Sequence, residues 1–242
     1  MIESDHNEYS EAERAVMAAN SSAAEGAMEV TSSNGQSSSA LVVGEASGEE
    51  DQEDEEGKVL PVRGPVPPVD GKWASCLRLV EPGTGITHDV VEFSNNEAAF
   101  SVCTCRFQSD QHSEETFIVV GTARDFLLHQ RRVSAAYIHV YRFLDGRLKF
   151  LHQTEVDELP TSMIEFQGKL LVGSGRTLRL YELGKRKLLR KCENRLFPTT
   201  IVRLQSTGDR IFVGDMAESI HFVKYRRVEN TLSIFADDTF PR

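Results

Sequence analysis

The chain has 242 residues, with 27 Lys and Arg against 37 Asp and Glu, and 40% of its residues are hydrophobic. These bulk values fit an ordinary globular protein, and no run approaches the ~18 consecutive apolar residues that cross a bilayer. The first 30 residues lack the basic flank and apolar run of a secretory signal, so the sequence predicts a soluble intracellular protein with no membrane partner.

The charge is unevenly spread. Residues 1–70 hold 3 basic residues (Arg14, Lys58, Arg63) against 16 acidic ones, whereas residues 71–242 hold 24 against 21. Between residues 1 and 56 the large aliphatics are Ile2, Val16, Val30, Leu41, Val42 and Val43, and Tyr9 is the sole aromatic. Burying so little apolar surface does not offset the roughly 1–2 kcal/mol of backbone entropy that each ordered residue loses. Residues 1–70 therefore read as a disordered, acidic, Ser-rich tail or insertion. The run Glu49-Glu50-Asp51-Gln52-Glu53-Asp54-Glu55-Glu56 repels itself, and Pro61, Pro65, Pro67 and Pro68 form a stiff connector. The composition of residues 11–28 suits a short helix, but supplies no apolar stripe for it to bury. The segment reads as a solvated linker, or else as an acidic ligand for a basic partner or a phosphorylation segment in which Ser47 lies near Glu49 and Glu50.

From Lys72 onward, β-branched and aromatic runs alternate with turn residues about every 8 to 12 positions, the pattern of an all-β fold. The runs repeat. Tyr141, Tyr181 and Tyr225 are 40 and 44 residues apart, each followed seven positions later by Leu148, Leu188 or Leu232 and preceded by three by Ile138, Leu178 or Phe222. Upstream of each lies a Val-Gly step: Val120-Gly121, Val172-Gly173 and Val213-Gly214. Asp145-Gly146 and Gly208-Asp209 supply hairpin turns. A period of about 40–45 residues with four strands per unit points to propeller blades. Residues 71–242 are thus predicted to form a partial β-propeller of about three and a half four-stranded blades. Three blades span residues 100–154, 160–193 and 198–238, and residues 73–80 with 89–93 supply the outer half of a fourth. Closed propellers have about four to eight blades, so the sequence is expected to be a piece of a longer polypeptide.

Catalytic chemistry finds no constellation in this sequence. Gly173-Ser174-Gly175-Arg176-Thr177 is followed by a predicted strand, not by the helix a phosphate cradle requires. His88, His112, His129, His139, His152 and His221 show no ligand spacing to one another or to cysteine, so no metal and no cofactor is predicted. Cys76, Cys103, Cys105 and Cys192 read as reduced thiols packed as small hydrophobes. No small-molecule substrate is implied. One group of residues suggests a surface: Lys185, Arg186, Lys187, Arg190 and Lys191 surround a predicted hairpin, and Lys224, Arg226 and Arg227 flank the repeat tyrosine of the next unit. Together they form a candidate basic strip facing a partner or RNA, or else a solvated edge protected by charge.

Three strings resemble the splicing factor 3B subunit 3 family of large triple-propeller spliceosomal subunits. They are Asn96-Glu97-Ala98-Ala99-Phe100-Ser101-Val102, Lys187-Leu188-Leu189-Arg190-Lys191-Cys192-Glu193-Asn194 and Ile234-Phe235-Ala236-Asp237-Asp238-Thr239-Phe240-Pro241-Arg242. The opening Ile2-Glu3-Ser4-Asp5-His6-Asn7-Glu8-Tyr9 is similar to the family segment that precedes a long insertion. The blade layout is shared with the large subunits of the damage-specific DNA-binding complex and of the cleavage and polyadenylation factor. The resemblance implies a nuclear, non-enzymatic scaffold holding protein subunits of the splicing factor 3B complex, a HEAT-repeat subunit and small subunits among them. Any RNA contact would be indirect. The alternatives are a nucleic-acid-binding propeller and a ubiquitin-ligase adaptor of the damage-specific type.

Overall fold

The computed structural model describes residues 1–6, 68, 70–108, 115–217 and 220–238. The acidic run at 49–56, the helix at 11–28, Ser47, His112 and the last four residues of the third family string lie outside them. By contacts the chain divides into Met1–Glu8 with Arg63–Arg242, and Tyr9–Val62. The described residues belong to the first unit, and its fold is all-β with fifteen strands in four antiparallel sheets.

Blade 1 contains β1 (Ile2–His6), β2 (Trp73–Val80) and β3 (Thr87–Phe93). Blade 2 is β4 (Glu97–Cys105), β5 (Phe117–Arg124), β6 (Ala135–Leu144) and β7 (Arg147–Val156). Blade 3 is β8 (Pro160–Phe166), β9 (Lys169–Ser174), β10 (Thr177–Glu182) and β11 (Leu189–Asn194). Blade 4 is β12 (Ile201–Thr207), β13 (Arg210–Asp215), β14 (Ile220–Arg226) and β15 (Thr231–Asp238). Within each blade every strand pairs with its neighbours in sequence, through short connections in blades 3 and 4. Asp145 and Gly146 both adopt positive φ (52° and 72°), which matches the twist of the hairpin they close.

Register explains why the Val-Gly step recurs. In blades 2, 3 and 4 the glycine of the second strand pairs with Ser101, Ser162 and Arg203 of the first, immediately after a bulge in each first strand. A Cβ on Gly121 would stand 2.8 Å from the Pro160 carbonyl oxygen, and one on Gly173 would stand 2.5 Å from Ile201 Cγ2. Pro160 and Ile201 open the first strands of the following blades, so the missing side chain lets the next blade approach.

Blade 1 departs from the sequence reading. Ile2–His6, assigned above to a disordered segment, is a strand paired with β2 across 66 intervening residues, Ile2 opposite Leu77 and His6 opposite Trp73. Its single large apolar residue was too weak a local signal; pairing to a distant strand supplies what the segment lacks alone. The bulges identify its place. Third and fourth strands are offset by a bulge in blades 2, 3 and 4, and β2–β3 shows the same offset, whereas β1–β2, like every second–third pair, has none. β1, β2 and β3 are therefore the second, third and fourth strands of blade 1, and residues 7–72 occupy the same second-to-third connection as the long 125–134 loop of blade 2.

A second correction concerns the tyrosines. Tyr141 and Tyr181 occupy one register position, opposite Ile118 and Leu170, but in blade 4 that position belongs to Val223, opposite Ile211. Tyr225 lies one pleat further along on the same face. All three are buried on third strands, so the period was real while its third marker was displaced.

The core lies in the seams between blades. Val119, Ile138 and Val140 of blade 2, all fully buried, pack against Met163, Leu170 and Val172 of blade 3. Leu171, Leu178 and Leu180 of blade 3 pack likewise against Ile201, Leu204, Ile211 and Val213 of blade 4. Each such aliphatic contributes roughly 1.5–3 kcal/mol by burial, which holds neighbouring sheets together.

Candidate interaction surface

Each third strand carries one basic residue directly opposite the valine of the Val-Gly step: His139 opposite Val120, Arg179 opposite Val172 and His221 opposite Val213. Arg78 holds the same position in blade 1. In blades 2 to 4 this residue is buried and meets an acid. His139 Nε2 lies 2.5 Å from Glu97 Oε1, which also accepts a hydrogen bond from Thr122, while Arg124 Nε donates to Glu97 Oε2 at 3.2 Å. Arg179 donates to Asp157 and, at 3.0 Å, to Glu193 Oε2; His221 Nε2 lies 3.0 Å from Asp215 Oδ2. Burial alone would raise the Glu97 pKa, but the hydrogen bonds from His139, Thr122 and Arg124 outweigh it and hold the carboxyl below its ordinary value. These buried pairs tie the third strand to neighbouring segments: to β4 in blade 2, to β11 and the residue after β7 in blade 3, and to β13 in blade 4. Ligand spacing does not single these histidines out; the recoverable signal is a basic residue at one register position in every unit.

Cys103, Cys105 and Cys192 are thiols, and burial pushes Cys103 up to about 12 and Cys192 up to about 11, with Cys105 raised further still. Burial lowers the pKa of His152, which favours its neutral form. Among the described residues no group of three His, Cys, Asp or Glu converges as a metal ion requires.

The candidate basic residues lie on and between the third and fourth strands of blades 3 and 4. The β10–β11 connection at 183–188 carries Lys185, Arg186 and Lys187, all exposed, and none of them forms an ion pair among the described residues. Arg190 meets Glu193 at 3.1 Å and Lys191 meets Glu182 at 3.2 Å. In blade 4, Lys224 meets Asp209 at 3.3 Å, Arg226 meets Glu229 at 3.5 Å, and Arg227 Nη2 donates to Gln167 Oε1 at 3.3 Å. The segments that carry the two groups touch at one point. Asn230 of the β14–β15 turn donates to the Lys191 carbonyl at 2.8 Å and accepts from the Tyr225 hydroxyl at 3.0 Å. Four of the eight cations are thus tied to carboxylates, and the free charge is concentrated at residues 185–187.

Residues 74–242, nearly all of blades 1 to 4, match the CPSF A subunit region. The chain belongs to that family. Within it, the chain is 48% identical over 174 residues to splicing factor 3B subunit 3 of Danio rerio, covering 71% of this chain and 14% of that protein. It is 49% identical over 174 residues to spliceosome-associated protein 130 A of Arabidopsis thaliana, and 51% identical over 174 residues to the pre-mRNA-splicing factor RSE1 of Mycosarcoma maydis, with the same coverage. The chain spans 14% of the length of these relatives. The family strings singled out in the sequence fall within the matched region, apart from the N-terminal Ile2–Tyr9 segment.

Proposed function

We propose that this chain acts in pre-mRNA splicing, in the nucleus, as a non-catalytic scaffold whose blades hold protein subunits of a splicing factor 3B-type complex. The observation that carries this reading is the 48–51% identity to splicing proteins over 174 residues of the blade region. The fold supports the mechanism: rigid sheets joined by buried seams present preformed outer surfaces, which bind with little ordering cost. On this reading a HEAT-repeat subunit and small subunits are the protein partners, and RNA is reached through them.

Affinity purification of the tagged chain from nuclear extract tests the proposal. Branch-site ribonucleoprotein components should co-purify. Recovery of ubiquitin-ligase subunits in their place would transfer the chain to the damage-specific branch of the family, and recovery of neither would defeat the scaffold reading.

A further inference from the structure

The seam between the outer edges of blades 2 and 3 is open where the seam between blades 3 and 4 is stitched. At the latter, Asn194 Nδ2 donates to the Leu232 carbonyl and Asn230 Nδ2 to the Lys191 carbonyl, both at 2.8 Å. At the former, Leu188 N donates to Thr154 Oγ1 at 2.8 Å, and alongside lies a cleft of about 520 Å³. Arg179 and Tyr181, both nearly fully buried, line it together with Thr154, and Lys187, Leu189 and Arg190 form its other wall. β11 is the last strand of its sheet, so no strand pairs with its outer side, where Asn230 takes the Lys191 carbonyl and the backbone at Leu189, beside the cleft, has no strand partner. Leu189 at its start is 50% exposed.

We propose that this cleft binds an extended acidic peptide, which adds along the free edge of β11 with an aliphatic side chain against Leu189 and carboxylates facing Lys187 and Arg190. Strand addition supplies affinity through backbone hydrogen bonds, and the alternating side chains supply selectivity. Charge sets the direction. Lys187 has no ion pair among the described residues, and Lys185 and Arg186 extend the positive end, whereas Glu155 and Asp157 make the opposite end negative. A nucleic acid fits less well: the one aromatic ring lining the cleft, Tyr181, is 4% exposed and offers no stacking face. The inference stands apart from the splicing assignment, because it concerns a purified chain and a synthetic ligand.

The test is fluorescence anisotropy of the full chain with a labelled peptide of about twelve residues alternating Leu and Glu. A Leu-Lys peptide and oligouridylate serve as counter-probes. Saturable binding of the Leu-Glu peptide is expected, weakened about tenfold or more by the double variant K187E/R190E and by added salt, and kept by Lys187→Arg. Should the double variant lose its β-sheet circular dichroism, Leu189→Ser, a change at an exposed position, should reduce affinity by itself. No saturable binding, equal affinity for the Leu-Lys peptide, displacement by oligouridylate, or unchanged affinity in folded variants would each overturn the proposal.

Discussion

Gly121, Gly173 and Gly214 occupy one register position in three blades, yet they meet different surroundings. The first two face the opening residues of the next blade at distances no Cβ tolerates, while a Cβ on Gly214 would find its nearest neighbour, Arg203 Cβ, at 3.5 Å. Gly121→Ala and Gly173→Ala are therefore expected to destabilise the chain by about 1–3 kcal/mol through overpacking, and Gly214→Ala to be close to neutral. Urea denaturation of the three variants checks this, and equal midpoints would show that the blades do not pack through this step. Glu97 makes a second prediction. Its folded pKa is lowered, so the stability it contributes is present above the unfolded value of about 4.3 and is lost as pH falls through the lower folded value. Glu97→Gln should lower the urea midpoint at pH 7, and the gap to the parent chain should narrow as pH falls from about 5 toward 3. A gap that stays constant would mean that the ionised carboxylate contributes nothing.

At the level of strands and turns, what the sequence reveals depends on how local the determining contact is. The second, third and fourth strands of blades 2 to 4 are legible because alternation, turn residues and the Val-Gly step all act within about ten residues. β1 is not legible, since Ile2–His6 has no pattern of its own and finds its partner beyond a 66-residue connection. Tyr225 misleads for a different reason: the step from Ile220, opposite Gly214, to the tyrosine is five residues, whereas from Ile138 and Leu178 it is three. Only pairing shows that Val223 is the true counterpart. The candidate surface divides in the same way. The cations were readable as residue types, but Glu182 beside Lys191, Asp209 beside Lys224 and Glu229 beside Arg226 are set by cross-strand and turn geometry, and these pairs decide where charge remains free. The cleft beside β11 was equally hidden, because it arises from the width of the 183–188 connection and the position of Thr154 on a different blade.

For the molecule as a whole, repetition predicts an interaction at the outward face of blade 4. Phe212, Ile220 and Phe222 hold the register positions of Leu171, Leu178 and Leu180 in blade 3, which the following blade covers completely. In blade 4 these three side chains remain partly exposed. Phe212 and Phe222 stack edge to face with centroids 5.6 Å apart, Phe235 continues the row 6.3 Å further and is 51% exposed, and the Arg210 guanidinium covers it at 5.7 Å. An aromatic row on a sheet face promotes self-association, because burying it removes apolar surface from water at roughly 25 cal/mol per Å². The isolated chain should therefore show an apparent mass that rises with concentration in light scattering. Phe222→Ser combined with Phe235→Ser should return it toward the monomer value while the β-sheet circular dichroism persists. Phe150→Ser, at a 55% exposed position on blade 2, serves as the control and should leave association unchanged. Association that survives the double substitution, or that disappears equally with Phe150→Ser, would place the sticky surface elsewhere and remove the claim that blade 4 keeps a face shaped for another sheet.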